Sequence, residues 1–420
     1  MDATQHAPSV GATTGEPLDV TFADIEAARA RIRDAVFNSP CAYTEMLSKR
    51  TGAKLWLKLE NLQMTGSFKE RGAANKLLSL SGEERKQGVI TASAGNHAQG
   101  VAFHAQRLGI DATIVMPEGT PLIKVASTRS FGAHVVLHGT NYDEACEHAH
   151  GIEREEHRVY VHPFDDPLVI AGQGTIGLEL IEQNPYLEAV VVAIGGGGLA
   201  AGVACAIKEV NPKIKVYGVE AKVLSAMRAA LDAHDLVTLP PARTIADGIA
   251  VRTVARRTYA MVERYIDDVV TVDEEEIAEA ILMLLEREKT VAEGAGAAPL
   301  AALVGKKLPV AGKKTCLVIS GGNIDVNLVS RIIERGLVKS GRMMRVVLIL
   351  PDVTGSLAAL TRLVADQKGN VIQIQHNRAS LRGALGEAIV ELTLETRGFD
   401  HIEEIGKALV SAGYRLAEDR

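Results

Sequence analysis

Residues 189–194, Ala-Val-Val-Val-Ala-Ile, form an unbroken apolar run that is followed at once by four consecutive glycines. An apolar run of this length without alternation is typical of a strand buried on both faces, as in a parallel sheet covered by helices. A helical pattern begins directly after the glycines and continues to Val210. The run therefore predicts an α/β domain in which the glycines form the turn between a buried strand and a helix.

Strand-like and helix-like patterns alternate over most of the chain. Three apolar strand patterns end in turns of small residues, at 93–96, 195–198 and 320–323. Such alternation predicts parallel sheets with helices on both faces. The predicted fold class is α/β, with a small α/β domain over 61–163 and a large domain over 19–60 and 164–338.

A different pattern begins after a change of composition at 336–342. Between Ala388 and Thr396, apolar and polar residues alternate cleanly, which is typical of a half-buried strand. The order of elements over 342–420 is strand, helix, strand, strand, helix, strand. This order predicts a separate ferredoxin-like (βαββαβ) domain.

The composition restricts the classes of function. The chain has 420 residues and a net charge of −6 without a basic block, so nucleic acid is not an expected partner. No stretch is long and apolar enough to span a membrane, and residues 1–18 have the composition of a flexible tail rather than a signal peptide. Four scattered cysteines favour a reducing compartment, and we expect a cytoplasmic protein. The histidines between 138 and 162 form no convincing ligand set, so no metal site is predicted.

The segment Thr65–Ala73 places one lysine, Lys69, between two glycines. A lone lysine is usually a solvated surface group. The three turns of small residues change this interpretation, because ligands of α/β proteins bind at the carboxyl ends of strands. One lysine and three such turns fit a pyridoxal phosphate site, in which the lysine forms a Schiff base, a glycine turn holds the phosphate and polar groups hold the ring.

The glycine turn also fits a second kind of site. Residues 195–200 satisfy the G-x-G-x-x-G/A pattern of dinucleotide-binding domains, and Glu220 ends the next strand pattern, where an acid would bind a ribose. A phosphate cradle for pyridoxal phosphate and a Rossmann-type NAD site are therefore both open on this motif.

The turn at 93–96 offers groups that could bind the ring of a cofactor and a substrate. The Asn96 amide could reach a phenolic oxygen of the cofactor, or it could cap the following helix. Ser93, Gly95 and the helix N-terminus near His97 offer donors for a substrate carboxylate, with Ala94 in the same loop. The His97 side chain itself is interpreted as a local hydrogen-bond partner.

Four motifs of the chain, taken in their order along the sequence, resemble those of the threonine ammonia-lyases (threonine dehydratases). These enzymes share pyridoxal phosphate fold type II with serine racemase and the tryptophan synthase β subunit. The resemblance covers about residues 20–335. It implies elimination from L-threonine to give 2-oxobutyrate and ammonia, and from L-serine to give pyruvate. The motifs are GSFKERGA at 66–73, SAGNHAQG at 93–100, GGGGL at 195–199 and SGGN at 320–323.

The resemblance implies a role for each matching residue. Lys69 is implied to be the Schiff-base lysine and the base that removes the α-proton. Asn96 is implied to bond the ring hydroxyl, and Ser320 the pyridine nitrogen. The other implied cofactor or pocket residues are Phe68, Gly195, Gly196, Gly197, Gly198, Leu199, Gly248 and Glu293.

Two positions depart from the pattern of serine racemases. Those enzymes carry a serine at the position of Ala94, where it acts as acid or base on the opposite face of the substrate, and alanine has no proton to give. Some racemases place a second carboxylate after the glutamate that matches Glu220, for a divalent metal, but 224–227 contain no acid. Racemase activity and that metal site are therefore not expected.

Residues 342–420 resemble an ACT domain, a ferredoxin-like module that binds amino acids. The matching signature is PDVTGSL at 351–357 and Gly-Asn after the first helix. The resemblance implies Asp352, Gly355 and Asn370 as regulatory residues, an allosteric amino-acid effector such as isoleucine or valine, and a role in isoleucine biosynthesis. It also implies a homo-oligomer, a dimer or tetramer.

Three alternatives remain beside the L-threonine reaction. Within the family, the substrate could be L-serine or 3-hydroxyaspartate. An NAD-binding oxidoreductase explains the glycine turn but leaves Lys69, Asn96 and Ser320 without roles. A non-catalytic amino-acid sensor would use only 342–420.

Overall fold

The computed structural model describes residues 20–378 and 384–416, and the chain divides into two compact units. The first unit extends to Ile324 and the second begins at Asp325. The predicted tail and Ala417, the last residue of the predicted final strand, lie outside the described residues. The division falls before a helix over Val326–Lys339, which the predicted boundaries group with the large domain.

Strands and helices alternate along the first unit. Its described strands are β1 (Cys41–Thr44), β2 (Lys54–Leu59), β3 (Val89–Ala92), β4 (Ala112–Met116), β5 (His134–Leu137), β6 (Val159–Tyr160), β7 (Ala189–Ala193), β8 (Lys215–Ala221), β9 (Asp268–Val272) and β10 (Lys314–Ile319). Its described α-helices are α1 (Phe22–Ile32), α2 (Glu45–Thr51), α3 (Lys69–Ser79), α4 (Gly82–Gln87), α5 (Asn96–Leu108), α6 (Leu122–Ser130), α7 (Tyr142–Glu156), α8 (Pro167–Gln183), α9 (Gly198–Val210), α10 (Ala226–Ala233), α11 (Arg256–Tyr265), α12 (Glu274–Glu288) and α13 (Gly294–Val304).

The larger sheet has the strand order β1-β2-β10-β7-β8-β9. All neighbouring strands are parallel except β1, which is antiparallel to β2. Every residue of β7 is buried, which confirms the strand predicted from the apolar run. Helices α8 and α9 pack against each other, and most of their buried apolar residues belong to the same core as residues of β7.

The smaller sheet has the order β5-β4-β3-β6 and is entirely parallel. Its central strands β3 and β4 are buried at every position. Helix α5 packs against both α3 and β4, so the helix that begins at Lys69 is joined to this sheet through α5. The α/β class with two parallel sheets is therefore confirmed.

Three strands deliver the predicted turns to one region. The turn before α5 follows β3, the glycine turn before α9 follows β7, and the turn at Ser320 follows β10. Each turn therefore lies at the carboxyl end of a parallel strand, where α/β proteins bind ligands.

A cluster of buried charges fixes the position of α3. The Arg71 guanidinium donates to both oxygens of Glu60 at 2.8 Å, and to the two oxygens of Glu179 at 2.6 and 2.8 Å. Lys58 Nζ also donates to Glu179, at 2.5 Å. Although burial acts to raise the pKa of Glu60, the charge of Arg71 and its hydrogen bonds hold that pKa below its ordinary value. The cluster connects α3 with the end of β2 and with α8.

The second unit contains the predicted ferredoxin-like order of elements. Its sheet has the order β12-β13-β11-β14, with antiparallel neighbours, which is the arrangement expected for βαββαβ. This part of the fold prediction is confirmed. The described elements are α14 (Val326–Lys339), β11 (Met343–Pro351), α15 (Ser356–Asp366), β12 (Asn370–Asn377), β13 (Glu387–Glu395), α16 (Phe399–Ser411) and β14 (Arg415–Leu416).

Some predicted helix boundaries differ from the structure. The sequence pattern predicts a helical run from about Ala73, but α3 begins at Lys69, because tertiary bonds hold its start: Phe68 N–H donates to the Ser320 carbonyl at 3.0 Å. The pattern also predicts a helix from Gln173 to Asn184, but α8 begins six residues earlier, at Pro167, with Asp166 as its N-cap and proline in its first turn. Within the described ranges, no helix has both the length and the apolar character needed to cross a membrane.

We expect Arg71→Met to lower the free energy of unfolding by about 3–5 kcal/mol, because Glu60 would remain buried without its ion-pair partner and Glu179 would keep only Lys58. Chemical denaturation at saturating cofactor measures the change. Arg29→Met is the matched control, since Arg29 forms an exposed ion pair with Glu182 and its loss should be nearly neutral. Equal effects of the two substitutions would contradict the role given to the buried cluster.

Candidate active site

Lys69 lies at the first residue of α3, with a partly buried side chain. Its Nζ donates a hydrogen bond of 2.6 Å to the Pro163 carbonyl and lies 5.3 Å from the centre of the Phe68 ring. Burial lowers the pKa of Lys69 to about 8, against the opposite effect of the negative charge on Glu293. A substantial fraction of this amine is therefore neutral near pH 8, as a nucleophile or proton acceptor requires.

The glycine turn brings its backbone close to neighbouring segments. A Cβ atom at Gly196 would lie 2.2 Å from the Phe164 ring, and one at Gly198 would lie 2.6 Å from the Phe164 carbonyl oxygen. Gly195 approaches Ile249 in the same way. Gly197 has φ of +94° and is the N-cap of α9, without a side chain that caps the helix. The first amides of α9, at Gly198 and the buried Leu199, therefore have the arrangement that binds an anion such as a phosphate.

The predicted residues Asn96 and Glu293 are in direct contact. Asn96 Nδ2 donates to Glu293 Oε1 at 2.7 Å, and Asn96 Oδ1 accepts from Asn323 Nδ2 at 2.8 Å. Asn323 Nδ2 also donates to the Thr65 carbonyl at 2.7 Å. Gly95, not Asn96, is the N-cap of α5, so the Asn96 amide is not a helix cap.

Glu293 is fully enclosed by the site. Burial and the nearby charge of Asp247 raise its pKa to about 7, while the hydrogen bond from Asn96 and the charges of Lys124 and Lys69 act in the opposite direction. A Cβ atom at Gly248 would lie 3.3 Å from Glu293 Oε1. Gly248 therefore lies beside Glu293, as expected for two pocket residues.

Ser320 is buried at the end of β10, with 2% of its surface exposed. Its carbonyl accepts from Phe68 N–H, and the next residue, Gly321, forms an isolated antiparallel bridge with Ser67. The segment before Lys69 is thus held against the end of β10. The Ser67 Oγ atom is buried in the same segment and has no hydrogen-bond partner.

The N-terminus of α5 presents the predicted substrate loop. Gly95 N–H donates to Ser93 Oγ at 3.3 Å, and no side chain caps α5. Ala94 lies in the same loop and is partly buried. His97 is buried, and its Nε2 contacts the Val161 carbonyl at 2.9 Å. Burial lowers the pKa of His97 to about 3, so it is neutral near pH 7.

Several residues of the site were not predicted from the sequence. Pro163 and Phe164 connect the lysine with the glycine turn, and Asn323 connects Asn96 with the segment before Lys69. The SGGN motif contains Asn323, so its composition was a signal, but no local pattern marks Pro163 or Phe164.

Glu220, which the dinucleotide pattern would assign to a ribose, is buried and bonded to the main chain. Both its oxygens accept main-chain N–H groups, from Met227 and Arg228, each at 2.8 Å. The described part of the chain contains no group of three His, Cys, Asp or Glu side chains that could hold a metal ion.

The three predicted regulatory residues lie in the second unit. Asp352 accepts hydrogen bonds of 2.9 Å from Arg378, and Asn370 Nδ2 donates to Glu395 at 3.0 Å. Gly355 has φ of +91° and precedes α15, which favours glycine at this position.

Comparison with known proteins identifies the family. Residues 32–321 match the family described as "Pyridoxal-phosphate dependent enzyme". A protein named L-threonine ammonia-lyase, from Thermotoga maritima, is 50% identical over 397 residues, which cover 94% of this chain and 99% of that protein. The processed threonine deaminase isoform 2 of Solanum lycopersicum is 40% identical, with a TM-score of 0.71, over 74% of this chain and 91% of that chain. Maize serine racemase is 34% identical, with a TM-score of 0.72, over 76% of this chain and 98% of that chain. The Lys69 amine has a lowered pKa and lies beside a glycine turn that no side chain caps, at the carboxyl ends of parallel strands. The chain thus belongs to the pyridoxal-phosphate-dependent enzymes, and its cofactor is pyridoxal phosphate.

Proposed function

We propose that this enzyme removes the β-hydroxyl and the amino group of L-threonine, giving 2-oxobutyrate and ammonia, and that it converts L-serine to pyruvate in the same way. The observation that carries the proposal is the partly buried Lys69 amine, whose pKa is lowered by burial to about 8. The near full-length similarity to a protein named L-threonine ammonia-lyase supports the choice of substrate.

The residues present fit the cofactor. The first turn of α9 has no side-chain cap, and the glycines at 195–198 are too closely packed to carry side chains, so the main-chain amides are left for the phosphate. Lys69 would bind the cofactor covalently, beside the Phe68 ring. Asn96 would donate to the ring hydroxyl, and Ser320 would contact the ring nitrogen.

When bound, pyridoxal phosphate supplies an electron sink for the negative charge that forms at the α-carbon of the amino acid. Lys69 takes the α-proton on Nζ, for which its lowered pKa is suited. The Pro163 carbonyl accepts a hydrogen bond from this Nζ and so holds the amine in one position. Ser320 is neutral and cannot hold a proton on the ring nitrogen as a carboxylate would, which favours immediate loss of the β-hydroxyl over transamination.

The substrate carboxylate would bind at the N-terminus of α5. That helix begins at Asn96 without a side-chain cap, and its positive end favours an anion. Ser93 and Gly95 lie in the turn that precedes it. Ala94 offers no proton on the opposite face of the substrate, so we propose elimination rather than racemisation, despite the similarity to maize serine racemase.

Within the same family, L-serine or 3-hydroxyaspartate remains the alternative main substrate. Both carry a β-hydroxyl group, so the chemistry required of Lys69 is unchanged. The substrates would differ in the group attached to the β-carbon, and relative rates with the three amino acids decide between them.

We propose that the second unit is an ACT domain that senses isoleucine or valine and regulates isoleucine synthesis. The ferredoxin-like order of its elements supports this assignment. Asp352 and Asn370 lie at the ends of β11 and β12, and each is bonded to a charged side chain of the same unit, Arg378 or Glu395. An effector that bonded Asp352 would compete with Arg378, and so could shift the protein between two arrangements.

We also propose that the protein is a homo-oligomer, a dimer or tetramer. Strand β12 lies at an edge of the second sheet, and seven of its eight residues are exposed, including Ile372 and Ile374. An edge strand with exposed apolar residues is a site where a second copy can pair.

Four free cysteines support a cytoplasmic location.

We expect Lys69→Ala to lower the rate of 2-oxobutyrate release at least about a thousandfold, because the covalent attachment and the proton acceptor are lost together. Borohydride reduction of the wild type, followed by proteolysis and mass spectrometry, should place the cofactor on the peptide that contains Lys69. Lys86→Ala, an exposed lysine of α4, is the control and should retain the wild-type rate. A reduced adduct on another lysine, or turnover by Lys69→Ala, would contradict the assignment.

We expect cofactor capture by the cofactor-free protein to accelerate about tenfold between pH 7 and pH 9 and then level off, because the neutral fraction of an amine with pKa of about 8 rises in this way. Stopped-flow absorbance measures the rate. An amine with an ordinary pKa would give about a hundredfold rise without levelling. Removing the charge by Glu293→Gln should move the midpoint to lower pH, since that charge favours the ammonium form.

We expect isoleucine to suppress the rate of 2-oxobutyrate release and valine to relieve this suppression. Asp352→Asn should raise the isoleucine concentration for half inhibition by about tenfold, while the rate without effector stays the same. The control is Glu404→Gln, an exposed acid on α16. A rate that neither amino acid changes would contradict the regulatory proposal and leave the catalytic proposal intact.

A further inference from the structure

A chain of hydrogen bonds runs from a main-chain carbonyl to the buried carboxyl group of the site. Asn323 Nδ2 donates to the Thr65 carbonyl at 2.7 Å and to Asn96 Oδ1 at 2.8 Å. Asn96 Nδ2 donates in turn to Glu293 Oε1 at 2.7 Å. The chain therefore joins the segment before Lys69 to the side chain that the proposed function assigns to the ring oxygen of the cofactor.

The direction of these bonds is fixed at one end. A carbonyl oxygen can only accept, so the Thr65 carbonyl requires the NH2 end of Asn323. That NH2 group then requires the oxygen of Asn96 to face it, which turns the Asn96 NH2 group towards Glu293. While Glu293 is ionised, the reversed Asn96 amide would bring two NH2 groups together on one side and two oxygens on the other, without a hydrogen bond at either contact.

Packing holds the Asn323 amide in this position. A Cβ atom at Gly66 would lie 2.5 Å from Asn323 Oδ1, so the side chain lies directly against that glycine. Gly322 N–H donates to the Gly66 carbonyl at 2.9 Å and fixes the two segments to each other. The Asn323 amide is thus packed against the turn that precedes Lys69 and is bonded to it through the Thr65 carbonyl.

We propose that Asn323 is a positioning residue that sets the orientation of the Asn96 amide and so directs an Asn96 N–H group to the ring oxygen of pyridoxal phosphate. An NH2 group has two donors, and Glu293 takes one of them, so the second serves the cofactor. Asn323 acts through Asn96. The inference rests on the proposed role of Asn96 in holding the ring.

A double-mutant cycle on the holoenzyme tests this proposal, with Asn323→Ala, Asn96→Ala and the double variant. The first readout is the pH midpoint of the visible absorption band of the bound cofactor. Loss of an N–H donor to the ring oxygen destabilises its anionic form, so each single substitution should move the midpoint to higher pH. Each should also weaken cofactor binding by about tenfold, the worth of one hydrogen bond. The double variant should match Asn96→Ala, because the proposed effect of Asn323 on the ring oxygen passes through Asn96 alone.

Asn61→Ala is the matched control. Asn61 Nδ2 also donates to a main-chain carbonyl, that of Val291, at 2.9 Å, but Asn61 has no bond to Asn96. Its loss should lower the thermal stability of the cofactor-free protein and leave the absorption band unchanged. Asn323→Leu, which keeps the approximate shape, removes both donors and adds no charge, replaces Asn323→Ala if that variant does not fold, and should shift the midpoint in the same direction.

An unchanged midpoint in the Asn323 variants would overturn the proposal, and so would effects of Asn323 and Asn96 that add in the double variant. An unchanged midpoint in Asn96→Ala would also overturn the proposal, because Asn96 would then not donate to the ring oxygen. The proposed function is tested separately, by 2-oxobutyrate release from the wild type and by the cofactor adduct on Lys69. A failure of the positioning role can therefore be distinguished from a failure of the proposed reaction.

Discussion

The two-sided pairing of the Arg71 guanidinium is the interaction on which the site depends. Arg71 lies two residues after Lys69 and forms paired hydrogen bonds with Glu60 at the end of β2 and with Glu179 of α8. Removing one partner of a buried pair leaves an uncompensated charge, so the three segments are constrained to keep this geometry. The first turn of α3, and with it Lys69, therefore has a fixed position relative to the larger sheet.

That fixed position determines the protonation of the site. Burial lowers the pKa of Lys69 to about 8, and burial raises the pKa of Glu293 to about 7. Both pKa values are thus shifted towards neutral pH, that of Lys69 from above and that of Glu293 from below. The charge of each group opposes the pKa shift of the other. Groups whose environments bring their pKa values near the working pH are suited to proton transfer. Lys69 is the member of the pair whose position is also fixed by a hydrogen bond to the Pro163 carbonyl.

Sequence patterns predicted the elements that repeat a simple rule. The apolar run of β7, the glycine turn and α9 follow the strand–turn–helix order, and the C-terminal elements follow the ferredoxin-like order. The start of α3 at Lys69 was missed because no capping residue precedes it, and its first turn is held by the distant Ser320 carbonyl. The short β1 was missed because its four residues carry no clear alternation. The contact between Lys69 and Pro163 joins residues 94 positions apart, which no local pattern encodes.

The backbone, more than the side chains, shapes this site. A Cβ atom at Gly196 would overlap the Phe164 ring, and one at Gly321 would lie 2.4 Å from Glu293 Oε1. Glycine is required at both positions, because neighbouring side chains approach the main chain too closely for a Cβ atom. A site built in this way has few side chains with freedom to adjust. With the proposed role of Asn96, the orientation of its amide decides whether a donor or an acceptor faces the cofactor. That orientation follows in turn from the Thr65 carbonyl, which can only accept a hydrogen bond.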